Sequence, residues 1–468
     1  GYFSYALVYN PTDNKTYCAN RFSDNITIIN GVTNSVITTI LVGSYPRALA
    51  YNLTNNKVYC ANWNSSNVTI IDGEINSAIT TVTAGYWPCA LVWNSTNNKV
   101  YCANNSSDDV TIIDGATNSV ITTVTVGDGP CALVCNPTNN KIYCANRDSN
   151  NITIIDGTTN SVIASVPTSY WPCALVWNST NNKVYCTNNR SGNVTIIDGA
   201  TNSVITTVTV GDGPCALVYN PTNNKVYCAN GSYNVSIIDG GTNSIITTVT
   251  SGYGPCALVY NLNNNKVYCA NEGSNNMTII DGENDSVITT VSVGSFPKAL
   301  IYNPTNNKVY CANQGSDNVT VIDGETNSVI TTLTVADCPT AFTWNSVQNR
   351  IYVANQYSSS ISVIRDEIPG IEERLTLNAE HLTPEIYPNP VKGVLRVRVP
   401  SASLTPNASR PTLEIFDVSG KLVKEEKVIR LRRTQEHKQE IRIPLEGINP
   451  GIYFLQLEKE TKKFLVVE

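Results

Sequence analysis

Histidine is nearly missing from this chain. Of 468 residues only His381 and His437 are histidine, and none precedes them. That removes the ligands and bases on which most zinc sites and Ser-His-Asp hydrolases rest. Charge is also sparse: Lys, Arg, Asp and Glu make up 15% of the chain and the net charge is -6. Such a balance argues against a nucleic-acid partner held through its phosphates. No apolar run approaches the length of a membrane span. No Asp-rich calcium loop of the EF-hand type occurs, and nothing in the composition asks for a cofactor.

What is abundant is one passage, repeated. It reads cleanly from Pro88 to Gly129, PCALVWNSTNNKVYCANNSSDDVTIIDGATNSVITTVTVGDG, and starts again at Pro130, Pro172, Pro214, Pro255 and Pro297. A fixed period near forty, with short β-rich runs between turn residues, marks a toroidal or solenoid β array. Four strands fit each unit: Ala90–Trp93, Lys99–Ala103, Val110–Ile113 and Val120–Val126. The first turn holds Asn94-Ser95-Thr96-Asn97-Asn98, where Asn97 is expected in the left-handed conformation that Asn tolerates. Asp114-Gly115 closes the third strand. Three strands are apolar almost throughout, as sheets covered on both faces require, while the threonine-rich fourth suits an outer strand facing water. Four short antiparallel strands in about forty residues is the arithmetic of a propeller blade.

The second strand carries a family resemblance. Lys99–Asn104 (KVYCAN), Val184–Asn188 (VYCTN) and Ile351–Asn355 (IYVAN) resemble the signature of YVTN β-propeller repeats, and the NVTIIDGATNSVITTVTVG that follows resembles that family's third and fourth strands. The likeness runs from residue 1 to about 365 and recurs nine times. It implies a multi-bladed propeller, here with cysteine where the family usually has valine.

Read in order, the chain opens mid-unit: Gly1–Val8 aligns with Gly85–Val92, without an initiator Met. The opening is therefore read as a truncated or processed end. The first three strands occur nine times and the fourth eight times, so the missing strand is expected upstream of Gly1 and the closed ring is expected to hold nine blades or more. Residues 366–384 lose the period and read as a linker. From 385 onward Lys and Arg rise, cysteine vanishes, and alternation such as Leu395–Val399 predicts a small Ig-like β-sandwich over 385–468. This segment resembles the type A C-terminal sorting domain of type IX secretion. The matching residues are Tyr387-Pro388-Asn389-Pro390, Gly393, Leu413–Asp417 with Gly420-Lys421, and Gly451 with Tyr453, then Lys463 in the terminal run. The resemblance implies export across an outer membrane, secretion machinery as partner, and a secreted or cell-surface destination.

Candidate chemistry is thin. Asp72, Asp114, Asp156, Asp198, Asp239, Asp281 and Asp323 all precede glycine at one turn, and an Asx-turn explains a carboxylate that recurs in every unit. Cysteines fall at two blade positions. If each second-strand cysteine pairs with the next blade's first-strand cysteine, the disulfides are Cys60–Cys89, Cys102–Cys131, Cys144–Cys173, Cys186–Cys215, Cys228–Cys256 and Cys311–Cys338. Such bridges are open to an exported protein. The other reading keeps each as a small buried hydrophobe in place of valine.

The loops vary where the turns do not. One set holds Arg21-Phe22, Trp63, Asp108-Asp109, Arg147-Asp148, Arg190, Tyr233, Glu272 and Tyr357; the other holds Tyr45, Tyr86-Trp87, Tyr170-Trp171, Tyr253 and Phe296. Antiparallel connectivity puts both on one face. Aromatics with scattered arginine suit contact with a glycan or protein, so Tyr45, Trp63, Tyr86, Trp87, Arg147, Tyr170, Trp171, Arg190, Tyr253 and Phe296 are the candidate contact residues. The expected function is an exported binding, adhesive or structural surface protein and not an enzyme. The alternative is an extracellular propeller enzyme of lyase or lactonase type.

Overall fold

The computed structural model describes residues 1–365 throughout and, beyond them, the strands between Glu385 and Val466. Two compact units result, Gly1–Pro369 and Gly370–Glu468. In the first, blade 1 is a meander of β1 (Ser4–Asn10), β2 (Lys15–Asn20), β3 (Asn25–Asn30) and β4 (Val36–Leu41), paired in that order. Seven further four-stranded sheets repeat it, and a ninth sheet has three strands: Pro339–Asn345, Arg350–Asn355 and Ser360–Arg365.

Strands run slightly longer than the apolar pattern suggests, because the flanking polar residues also join the ladder. In blade 3, Lys99 lies opposite both Asn94 and Asp114. The left-handed turn residue is Asn98 (φ 54°), not Asn97. Asn97 instead sends its amide across to the Gly157 carbonyl of blade 4, at 2.7 Å.

Each sheet is covered by its two neighbours, and the core lies in these seams. Between blades 2 and 3, Tyr59, Ala61, Val68 and Ile70 meet Val100, Cys102 and Ile113. Matching clusters fill the other seams, as between blades 1 and 2 and between blades 8 and 9. Second and third strands are buried, the fourth alternates between half-buried and exposed, and the first is half-buried. Each fully buried aliphatic side chain stabilises its seam by roughly 1.5–3 kcal/mol.

Polar groups at the turn side set the register of the seams. In every blade the Asn that ends the first strand accepts from its own turn through Oδ1, as Asn10 does from the Thr12 N–H at 2.9 Å. Its Nδ2 donates to the left-handed Asn of the next blade: Asn10 to Asn56, Asn52 to Asn98, and onward to Asn303 to Asn349, all at 2.7–2.8 Å. Asn345 of blade 9 completes the circuit on Asn14 of blade 1 at 2.8 Å. A cation at the start of the second strand runs beside it. Lys99 reaches Gly157 O and Asn160 Oδ1, both at 2.7 Å, and Arg350 reaches Gly31 O at 2.7 Å and Asn34 Oδ1 at 3.0 Å. The ring therefore closes at nine blades, and the allowance for more is corrected.

Closure uses sheet faces, without a shared strand. Among the described residues no strand pairs with the outer edge of Ser360–Arg365, which is half-buried where its counterparts are buried. A cleft of about 270 Å3 lies beside it, between Ile361 and Val363 of blade 9 and Thr27, Val36 and Thr39 of blade 1.

All fifteen cysteines are free thiols, and the expected pairings fail for a geometric reason. Cys102 points back into the seam with blade 2, beside Tyr59. Cys131 points forward, packing on the cluster that holds Cys186 and placing its Sγ 3.4 Å from Pro172 O of blade 5. The two leave their sheets in opposite directions. The same opposition separates Cys60 from Cys89, Cys144 from Cys173, Cys186 from Cys215 and Cys228 from Cys256. Cys311 faces Tyr268 of blade 7, whereas Cys338 is held between Gln314 and Gln356. Side-chain alternation along a strand fixes these directions. Burial raises the thiol pKa of Cys18 to about 11 and of Cys131 to about 12.

Beyond the propeller, Glu385–Tyr387, Val394–Pro400 and Lys438–Pro444 form one antiparallel sheet. Leu422–Lys427, Thr412–Asp417, Gly451–Leu457 and Glu460–Val466 form another. The predicted linker 366–384 lies outside the described residues.

Three outcomes follow from the seams. Removing Asn345 and Arg350 together (N345A/R350A) should lower stability by about 1–3 kcal/mol for each buried bond lost, read by calorimetry, while the exposed Thr209→Ala should change it by less than about 0.5 kcal/mol. A thiol reagent at pH 8 should modify few cysteines in the native protein and all fifteen after denaturation without reductant; a shortfall would reveal disulfides. Asp114, Asp156, Asp198 and Asp239 have pKa values lowered from 3.8, chiefly by backbone N–H donors such as that of Thr117. Depressed folded values stabilise above the unfolded pKa, so stability should hold above about pH 4 and fall as pH drops through the folded values.

Candidate ligand-binding face

The loops opposite the asparagine turns are built on one backbone device. The residue before each blade's first proline adopts a left-handed conformation in all nine blades: Phe3, Tyr45, Trp87, Gly129, Trp171, Gly213, Gly254, Phe296 and Cys338, with φ between 53° and 71°. Its N–H is taken by the preceding blade, as Tyr45 donates to Asp24 Oδ1 (2.8 Å) and Trp171 to Asn150 Oδ1 (3.0 Å). Its carbonyl accepts from the following loop, as Tyr45 O does from Trp63 N and Trp87 O from Asn105 N, at 3.0 and 2.9 Å. Both loop sets therefore share one face, as connectivity predicted.

Glycine fits this position without strain and occupies it in blades 4, 6 and 7. A side chain there costs roughly 1–2 kcal/mol. Five blades nonetheless place an aromatic ring at it, with no fold requirement to explain the choice. Strain retained at repeated surface positions points to a role beyond folding.

The rings and arginines assemble into separate stacks. Arg21 lies over Tyr45 at 4.0 Å, with Tyr5 at 4.8 Å and Phe3 at 5.9 Å around it. Arg47 caps Trp63 at 4.0 Å, and Trp63 stacks on Trp87 with centroids 5.0 Å apart and planes 16° from parallel. Trp171 carries Arg190 at 3.3 Å and Arg147 at 5.7 Å. Cation–π contacts of this kind each contribute roughly 0.5–2 kcal/mol. Tyr233 and Tyr253 pair at 4.8 Å. Tyr86 and Tyr170 are the most open of the predicted residues, each 67% exposed.

The predicted set is thus spread around the rim, not gathered into one pocket. Trp63 joins Trp87, and Trp171 joins Arg147 and Arg190. Tyr253 pairs instead with Tyr233, and Phe296 borders a cavity of about 490 Å3 with Gln314, Asp317, Asp337, Cys338 and Tyr357. Arg147 is also paired with Asp148 at 3.1 Å. The sequence reading missed Phe3, Tyr5 and Arg47. Arg47 had a signal, since it stands where blades 3 to 7 carry cysteine. Phe3 and Tyr5 become visible only when blade 1 is aligned residue by residue.

Among the described residues no group of three or more His, Cys, Asp or Glu could hold a metal ion. No helix is long and apolar enough to cross a membrane. Of the sorting residues, Tyr387, Gly451, Tyr453 and Lys463 lie on strands. Pro388, Asn389, Pro390, Gly393, Gly420 and Lys421 lie outside the described residues.

Comparison with known proteins supports both units. Residues 385–468 match the family described as secretion system C-terminal sorting domain. Residues 248–370 match the family of lactonases with a seven-bladed β-propeller, a span covering the last three of the nine blades. No curated protein matches the chain. Among solved structures, dihydro-heme d1 dehydrogenase NirN in complex with DHE is 11% identical, with a TM-score of 0.58 and 77% of each chain covered. The computationally designed Ika8 protein is 14% identical with a TM-score of 0.55, over 69% of this chain and 96% of that one. Hydrazine synthase of Kuenenia stuttgartiensis is 17% identical over 69% and 96%, with a TM-score of 0.48. At these identities the likeness concerns the fold alone. The chain is a nine-bladed β-propeller carrying a type IX secretion C-terminal sorting domain, and that domain directs it out of the cell, to be secreted or held at the surface.

Proposed function

We propose that this exported propeller is a binding protein whose loop face makes adhesive contact with an extracellular glycan or protein. The observation that carries the reading is the aromatic ring held at a strained left-handed position in five of nine blades, where three others use glycine. Repetition around the ring would let weak contacts act together. Catalysis is not part of this proposal: the carboxylates of the repeated turns are each engaged by backbone N–H groups, as Asp114 is by Ala116 and Thr117.

One observation favours the enzyme reading. The cavity at blades 8 and 9 brings Asp317 and Asp337 beside Cys338, within the span that matches the lactonase family. Hydrolysis of lactones or cleavage of polysaccharide by the purified protein, lost in Asp317→Asn, would establish that alternative.

Glycan-array binding and cell adhesion test the main reading. Trp87→Ala with Trp171→Ala should abolish binding while leaving the melting temperature unchanged or raised, because left-handed strain is reduced along with the rings. Binding undiminished in the double variant would remove this face from the function.

A further inference from the structure

The stacks on the loop face decide what kind of ligand they take, and this step rests on the reading of that face as a contact surface. An aromatic side chain binds a neutral sugar through an open ring face. Here the tryptophans that would do so are already covered: Trp63 by Arg47 and Trp87, and Trp171 by Arg190 at 3.3 Å. What such a stack presents outward is the edge of the guanidinium, whose N–H fork fits a carboxylate or sulfate.

These forks lack internal partners. Among the described residues no carboxylate lies within ion-pairing distance of Arg21, Arg47 or Arg190, and Arg147 alone is paired. Arg21 Nε is buried without a hydrogen bond inside its ring of Phe3, Tyr5 and Tyr45. Nearby acids are otherwise engaged: Asp24 by the Tyr45 N–H and the Ser44 hydroxyl, Asp108 by the Gly129 N–H, and Asp109 by the Asn104 amide. The guanidiniums also act together. Arg47 of blade 2 and Arg147 of blade 4 both bear on the Cys89 thiol of blade 3, opposing the burial that raises its pKa to about 11. A protein of net charge -6 has no diffuse attraction for anions, so capture depends on these local forks.

We propose that the sector from blade 1 to blade 5 is a binding site for an anionic polysaccharide, read by Arg21, Arg47, Arg147 and Arg190 as successive acidic groups along one chain. The rings hold each guanidinium flat and oriented, which limits the freedom lost on binding.

Binding of the purified full chain to immobilised polygalacturonate, heparin and dextran tests this. Polygalacturonate and heparin separate carboxylate from sulfate as the anion, and dextran reports neutral sugar. Binding to at least one anionic polymer, about tenfold or more above dextran, is expected. Arg47→Met with Arg190→Met keeps an apolar stem over Trp63 and Trp171 while removing the charge, and should reduce that binding about tenfold with an unchanged unfolding midpoint. Dextran bound as well as the acidic polymers, or binding unchanged in R47M/R190M, would overturn the proposal and leave the contact-face reading standing. No binding to any of the three would also overturn it. The broader reading fails separately, by undiminished adhesion in the double tryptophan variant.

Discussion

A circuit of asparagine side chains holds this molecule in register. Each of nine amides accepts within its own turn through oxygen and donates to the next blade through nitrogen, and the ninth returns to the first. An amide can do both because it carries an acceptor and two donors on one short arm. The apolar seams are the larger source of stability, yet they are non-directional. The asparagines and the cations beside them fix how far each blade turns relative to the last. Closing a ring is unforgiving in that respect, since small errors accumulate over nine steps.

This division of labour explains why one side of the disc is monotonous and the other varied. A turn whose Asn, Lys and Asp-Gly residues bond to the neighbouring blade cannot change without loosening a seam. Across the sheet, the loops need only a left-handed residue before proline and one acceptor in the preceding blade. Everything else in them is free to differ, and there the rings and arginines stand. The same face could be tuned to a new ligand with the ring left intact.

The cysteines show how a positional pattern can mislead. Two classes at fixed places in every unit look like partners when counted along the chain. In the sheet, Cys102 lies opposite Leu91 and faces the preceding blade, whereas the β-bulge at Cys89 and its equivalents turns that class toward the following blade. A period of two along each strand, and one extra residue in a bulge, separates the thiols.

Much of this protein was legible before any coordinates. The period, the strand pattern and the Asp-Gly and Asn turns determined the blade, and the tally of units anticipated nine, because each of these is a local property written out repeatedly. The tail was equally readable from Tyr387 to Lys463. The tertiary structure decided what depends on one blade meeting another: that nine units close the ring without a shared strand, which way each thiol points, and which arginine lies on which ring. Arg21 and Tyr45, or Arg190 and Trp171, are neighbours only because the loops of adjacent blades converge on one rim. Separation along the chain carries no record of that convergence, which arises when the sheets pack around a common axis.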